Sequence, residues 1–154
     1  MSMSIKVEDV MVEDVVTVEA EASVKKAVEL MNEHEIGCLI VVKDSEAVGI
    51  VTERDMLRRV LVGSKDPEKT KVQEVMSTPI VVGESKMDVE DAVKLMFQRK
   101  VKKLPIVDKG KLVGLVTLTD LARYQPEMIK VLKKIIATEV TPRRMKKVVD
   151  YYVV

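Results

Sequence analysis

Residues 7–58 and 72–123 carry one pattern twice, related by a constant offset of 65 with no gap. VEDVM at 7–11 returns as VQEVM at 72–76, and GIVTERD at 49–55 returns as GLVTLTD at 114–120. Between these blocks Val24, Ala27, Val28, Leu30 and Met31 return as Val89, Ala92, Val93, Leu95 and Met96. Roughly a third of the aligned positions are identical, and a self-match at fixed period marks a repeated structural unit. Two copies of one small fold make a pseudo-twofold pair, whose equivalent loops can converge on shared clefts.

Each copy reads as strand, helix, strand, strand, helix. VVTV (15–18) and IVV (80–82) are short β-branched runs and read as strands. Ser23 and Asp88 suit helix N-caps. They open VKKAVELMNEH and VEDAVKLMFQR, where apolar residues recur at i, i+3, i+4 and i+7 along one helical face. LIVV (39–42) and LPIV (104–107) then cross polar turns into VGIV and VGLV, which reads as a hairpin with Gly110 free to take a left-handed conformation. A last helix follows Thr52, ending near Gly63, and its counterpart follows Thr117. The expected organisation is repeat one at 5–62, a charged linker at 63–71, repeat two at 72–124 and a tail at 125–154. A unit of two or three strands is marginal alone, so one compact pair is expected rather than two separate beads. The fold class is α/β (α+β): two βαββα repeats with C-terminal helices.

Composition narrows the function classes. Lys and Arg number 26 against 25 Asp and Glu, so net charge points to no particular partner. The single cysteine, Cys38, leaves no internal disulfide and fits a reducing, cytoplasmic setting. The start lacks a signal-peptide core, and no run reaches the ~18 apolar residues of a membrane span. With one histidine, His34, no metal site is expected. No Gly-rich phosphate loop or nucleophile elbow is present, so no enzyme is expected.

The G-h-V-T-x-x-D block carries the most chemistry. Gly49 and Gly114 permit close backbone approach. Thr52 and Thr117 set a hydroxyl beside a first helical turn, where free N–H groups favour anions. Asp55 and Asp120 follow three residues on, and a carboxylate can accept two hydrogen bonds from a vicinal diol such as ribose. The combination suits a nucleoside phosphate. The same Thr and Asp also stabilise a helix start with no ligand at all.

In order, VEDVM/VQEVM, the [SD]-V-x-x-A-V-x-L-M helix, the LPIVD strand and G-h-V-T-x-x-D resemble the cystathionine-β-synthase (CBS) domain. Occurring twice over residues 5–124, they resemble a Bateman module. The resemblance implies a regulatory sensor of AMP, ADP, ATP or S-adenosylmethionine that works as a homodimer on some regulated protein. It implies two clefts. The first would use Ser77, Thr78, Ile80 and Val101 with Ile50, Thr52, Arg54 and Asp55. There Ile80 and Val101 would meet adenine, Asp55 would hold ribose, and Thr52 and Arg54 would face phosphate, with Lys102 and Lys103 as basic neighbours. The second would use Val12, Val15 and Ile36 with Leu115, Thr117, Thr119 and Asp120. Glu13 and Asp14 at its entrance disfavour anions, so the first cleft ranks ahead.

Beyond Tyr124 the repeat stops. The tail carries Lys130, Lys133, Lys134, Arg143, Arg144, Lys146 and Lys147 against Glu127, Glu139 and Asp150. It reads as amphipathic helices that pack on the pair or on a second subunit. The alternative is a basic segment that binds nucleic acid or an acidic protein.

Overall fold

A computed structural model describes residues 5–124. The tail, with both readings of it, lies outside the described residues. The chain forms two compact units, Met1–Leu118 and Thr119–Val154.

In the first unit Val7–Asp9 is a 3-10 turn, followed by β1 (Thr17–Glu19), α1 (Val24–His34), β2 (Cys38–Lys43) and β3 (Glu46–Thr52). Helix α2 (Glu53–Asp55) runs into a π-helical segment, Met56–Leu61. Then come α3 (Val72–Val75), α4 (Val89–Gln98), β4 (Lys103–Asp108), β5 (Lys111–Thr117) and α5 (Leu118–Tyr124). Residues 119–124 of α5 are the described part of the second unit.

Both hairpins enter one five-stranded sheet, ordered β1-β2-β3-β5-β4. They join at a single antiparallel pairing, Glu46 with Lys111. These residues are equivalent under the repeat, so the pseudo-twofold axis runs between them. β2 is apolar and buried from Cys38 to Val42, as a strand covered on both faces must be. α1 starts where its sequence says: Ser23 Oγ accepts the Lys26 N–H at 3.1 Å. Val24, Ala27 and Met31 form its buried face.

The repeats are interlocked rather than side by side. The Val7 N–H donates to Met87 O and the Val72 N–H to Ala22 O, both at 2.8 Å. The leading segment of each copy thus docks on the other copy's helix start. Val72 and Val75, both fully buried, belong to the same core cluster as Leu39, Val41 and Val51 of the first repeat. Gly49 and Gly114 are the points of contact. A Cβ on Gly49 would lie 2.5 Å from Met76 Sδ, and one on Gly114 would lie 2.5 Å from Met11 Sδ.

Two local expectations are corrected. Residues 80–82 form no strand; the second copy keeps only a bridge from Gly83 to Ile106. Pro105 stands where the first copy has Ile40, the residue paired with Thr17, and proline has no N–H to donate to a ladder. The first strand begins at Thr17 rather than Val15. After Asp55 the helix widens to five-residue steps, with the Val62 N–H on Leu57 O at 3.0 Å and Lys65 N–H on Val60 O at 2.9 Å. Gly63 makes room there, since a Cβ would sit 2.5 Å from Arg59 O.

Candidate functional site

The interlock leaves a cavity of about 390 Å³ where the end of β3 meets the second copy. Ile50 and Thr52 form one wall. Ser77, Pro79, Ile80 and Val81 form the second, and the turn from Lys100 to Lys103, with Pro105, forms the third. Ser77 is fixed by reciprocal backbone bonds with Ile50, at 2.8 and 3.2 Å. The Lys100 turn is the end of α4: Lys100 has a φ of 56°, and the Val101 N–H closes on Met96 O at 2.9 Å.

Seven residues expected in the first cleft therefore meet here: Ser77, Ile80, Val101, Lys102, Lys103, Ile50 and Thr52. Thr78, Arg54 and Asp55 do not line the cavity wall. Asp55 closes a capping box: its Oδ2 accepts the Thr52 N–H at 2.9 Å and the Thr52 hydroxyl at 3.1 Å. The Asp55 N–H in turn donates to Thr52 Oγ1 at 3.2 Å. Asp55 Oδ1 lies 3.8 Å from Arg59 Nε. Arg59 Nη1 donates to Val75 O at 2.8 Å and Met76 O at 2.9 Å. A strut thus runs from the Thr52 turn to the segment just before Ser77.

Pro79 lines the cavity beside Ile80, and three further wall residues escaped the sequence reading: Val81, Lys100 and Pro105. Lys100 carried a usable signal, since it is the third lysine of a short run whose counterparts in the first copy are Glu35, Gly37 and Cys38.

The residues expected in the second cleft are placed as follows. Val12 pairs with Leu115 through two 2.9 Å backbone bonds, the exact counterpart of Ser77 with Ile50 in the offset. Val15 lines a depression with Glu13, Thr17 and Glu19. Ile36 lines a groove between α1 and Met56–Leu57. Thr117 pairs with Lys103 across the hairpin. Thr119 and Asp120 belong to the second unit, in α5.

A CBS domain model matches residues 7–62 and again residues 72–127. The chain belongs to the CBS domain family. It is a tandem CBS pair. CBS domain-containing protein YhcV of Bacillus subtilis is 41% identical over 119 residues, which is 77% of this chain and 84% of that protein. The solved CBS domain protein TA0289 of Thermoplasma acidophilum is 34% identical, with a TM-score of 0.71 over 80% of this chain and 70% of its own. The CBS domain pair of MJ0100, solved with 5′-methylthioadenosine and S-adenosyl-L-methionine, has a TM-score of 0.72. It covers 82% of this chain and 99% of its own at 22% identity, a likeness of fold alone. Among the described residues, no helix of this CBS pair is long and apolar enough to cross a membrane.

Proposed function

We propose that this CBS pair is a regulatory sensor whose lysine-rimmed cavity binds an adenine nucleotide or another adenosyl ligand. The carrying observation is the cavity itself. Its volume of about 390 Å³ falls in the range of small-molecule sites, about 300–1,000 Å³. Apolar walls from Ile50, Ile80 and Val101 suit a flat base, and its rim is polar and basic. The adenosyl ligands in the MJ0100 pair suit the same fold.

In this reading Ile80 and Val101 hold adenine. Asp55 turns toward ribose through Oδ1, the oxygen outside the capping box, and Thr78 and Arg54 close over the ligand. The bound molecule then ties β3 of one repeat to the 77–81 and 100–103 segments of the other. It favours one angle between the repeats and so changes the surface offered to a second copy or to a regulated protein. The effect is a population shift, limited by the ligand's differential affinity for the two angles.

Isothermal titration of the full chain with AMP, ADP, ATP and S-adenosylmethionine tests this, with Asp55→Ala beside it. Saturable binding without turnover is expected. The variant should weaken it by about 1.5–3 kcal/mol, the worth of a hydrogen bond to a charged group. Loss of the capping box also costs about 1 kcal/mol of stability, so the variant is titrated well below its unfolding temperature. No binding of any of the four defeats the sensor reading; unchanged affinity in Asp55→Ala defeats the ribose role.

A further inference from the structure

One side chain ties together two walls of the cavity. Arg59 Nη1 donates to Val75 O at 2.8 Å and to Met76 O at 2.9 Å, on the segment that leads into Ser77. Its Nε lies 3.8 Å from Asp55 Oδ1, and Asp55 Oδ2 holds the N–H and the hydroxyl of Thr52. Thr52 belongs to the first wall and Ser77 to the second, while Arg59 itself does not line the cavity. A change in the separation of these walls must therefore stretch, shorten or release the Arg59 contacts.

Arg59 also lies inside the π-helical segment Met56–Leu61. Such wide turns are rare and recur at functional sites. The second copy shows that the motif does not demand one. GLVTLTD leads into α5, and residues 121–124, equivalent to 56–59, are α-helical. Tyr124 stands there in place of Arg59, and Met128 in place of Gly63. Both first-copy residues serve the wide turn: Arg59 ties it to the 75–76 carbonyls, and a Cβ at Gly63 would lie 2.5 Å from Arg59 O. Met56 and Val60 are buried and, four residues apart, share one helical face. They keep the segment on the core whether its turn is wide or ordinary. Narrowing the turn rotates the chain beyond it by about one residue, or about 100°. Leu61 and Val62, both exposed, change direction with it.

We propose that Arg59 is a positioning residue for the cavity walls and that its π-helical segment carries their separation to the protein surface. A molecule seated in the cavity bridges the same two elements as Arg59, the Thr52 turn and the Ser77 segment. Ligand and strut therefore favour the same wall separation, and each strengthens the other by thermodynamic reciprocity. With the strut made, the segment stays wide. With it released, the segment narrows and Leu61 and Val62 turn. The inference rests on the sensor reading for what fills the cavity, and it gives that reading a path from ligand to surface.

The test is titration of the full chain with AMP, ADP, ATP and S-adenosylmethionine, joined to amide hydrogen exchange at Val62 and Lys65. Those two N–H groups close the five-residue bonds, on Leu57 O and Val60 O. Arg59→Met keeps the length of the side chain and removes its donors. Gly63→Ala crowds the wide turn from a position that lines no wall of the cavity. Each variant should weaken binding about five- to tenfold, and the double variant should lose no more than about twofold beyond the weaker single, because both break one path. Saturating ligand should slow exchange at Val62 and Lys65 by about fivefold or more in the unaltered chain, and leave it unchanged in saturated Arg59→Met. Parent-like affinity in either single variant, losses that multiply in the double variant, or slowing that persists in Arg59→Met overturns the proposal and leaves the sensor standing. No binding of any of the four defeats both. Where circular dichroism shows Gly63→Ala unfolded, the affinity and exchange of Arg59→Met decide.

Discussion

Gly49→Ala is the sharpest probe of how the repeats hold each other. The new methyl carbon would lie 2.5 Å from Met76 Sδ, 3.0 Å from Met76 Cγ and 3.1 Å from Ser77 O. Comfortable contacts lie near 3.5–4.0 Å, so the overlap with sulfur is about 1 Å. Met76 has rotatable torsions and can yield part of that. Ser77 O cannot yield easily, because it accepts the Ile50 N–H at 3.2 Å in the bridge between the copies. Overpacking of this kind costs about 1–3 kcal/mol. Restriction of the unfolded chain returns about 0.4–1 kcal/mol. The net loss is then about 0.5–2 kcal/mol, or a few degrees in Tm for a chain of this size. Urea unfolding measures it, and the repeat provides a replicate. Gly114→Ala meets Met11 Sδ at 2.5 Å and Val12 O at 3.1 Å, so its stability loss should match. Only Gly49→Ala displaces Ser77, and only it should weaken ligand binding at the lysine cavity. Adding Met76→Ala to Gly49→Ala removes the sulfur, so the double variant should lose less than the two single losses together. Additivity within about 0.5 kcal/mol, or a Gly49→Ala protein as stable as the parent, would refute the interlock argument.

Arg59→Ala removes both hydrogen bonds to Val75 O and Met76 O and should cost about 1–2 kcal/mol in the same assay. Arg59→Lys should recover part of that, because an ammonium lacks the planar fork that reaches both carbonyls; an alanine variant of unchanged stability counts against the strut. The Asp108 carboxylate accepts the Ser85 hydroxyl at 2.6 Å and the Ser85 N–H at 3.2 Å, and these bonds, with Lys86 nearby, hold its pKa below the ordinary value. The stability this supplies is complete above the unfolded-state carboxylate pKa, about 3.9, and is lost as pH falls through the lowered folded value. Ser85→Ala should therefore reduce stability at neutral pH and narrow its deficit in acid, and acid limbs that run parallel for the two proteins would contradict this.

Much of the fold was legible because it rests on local chemistry. Ser23, followed by apolar residues at helical spacing, fixed α1 over Val24–His34. Gly110 takes a φ of 80° in the second hairpin turn, as a residue without Cβ can. What sequence could not show is set by parts of the chain distant in sequence. Val28 and Val93 are equivalent by pattern, yet Val28 is 43% exposed and Val93 only 4%. The missing strand at 80–82 depends on Pro105, some 25 residues away in the chain, and nothing within the β-branched run announces it. The site divides the same way. The strand end at Ile50 and Thr52 and the Ser77–Ile80 entrance follow from the motif. Lys100 belongs to the cavity only because the end of α4 is carried to them by tertiary packing. For Asp55 the capping reading and the ligand reading coexist, since one carboxylate oxygen closes the box and the other is turned to Arg59.

A pseudo-twofold pair faces a problem at its own axis, where equivalent positions meet. Were the copies identical there, like charges would stand directly opposite, which destabilises a strand pair. Glu46 and Lys111 meet at that point in opposite charge. The axis is thus a place where the copies gain by differing. At the axis the gain from divergence goes to the fold.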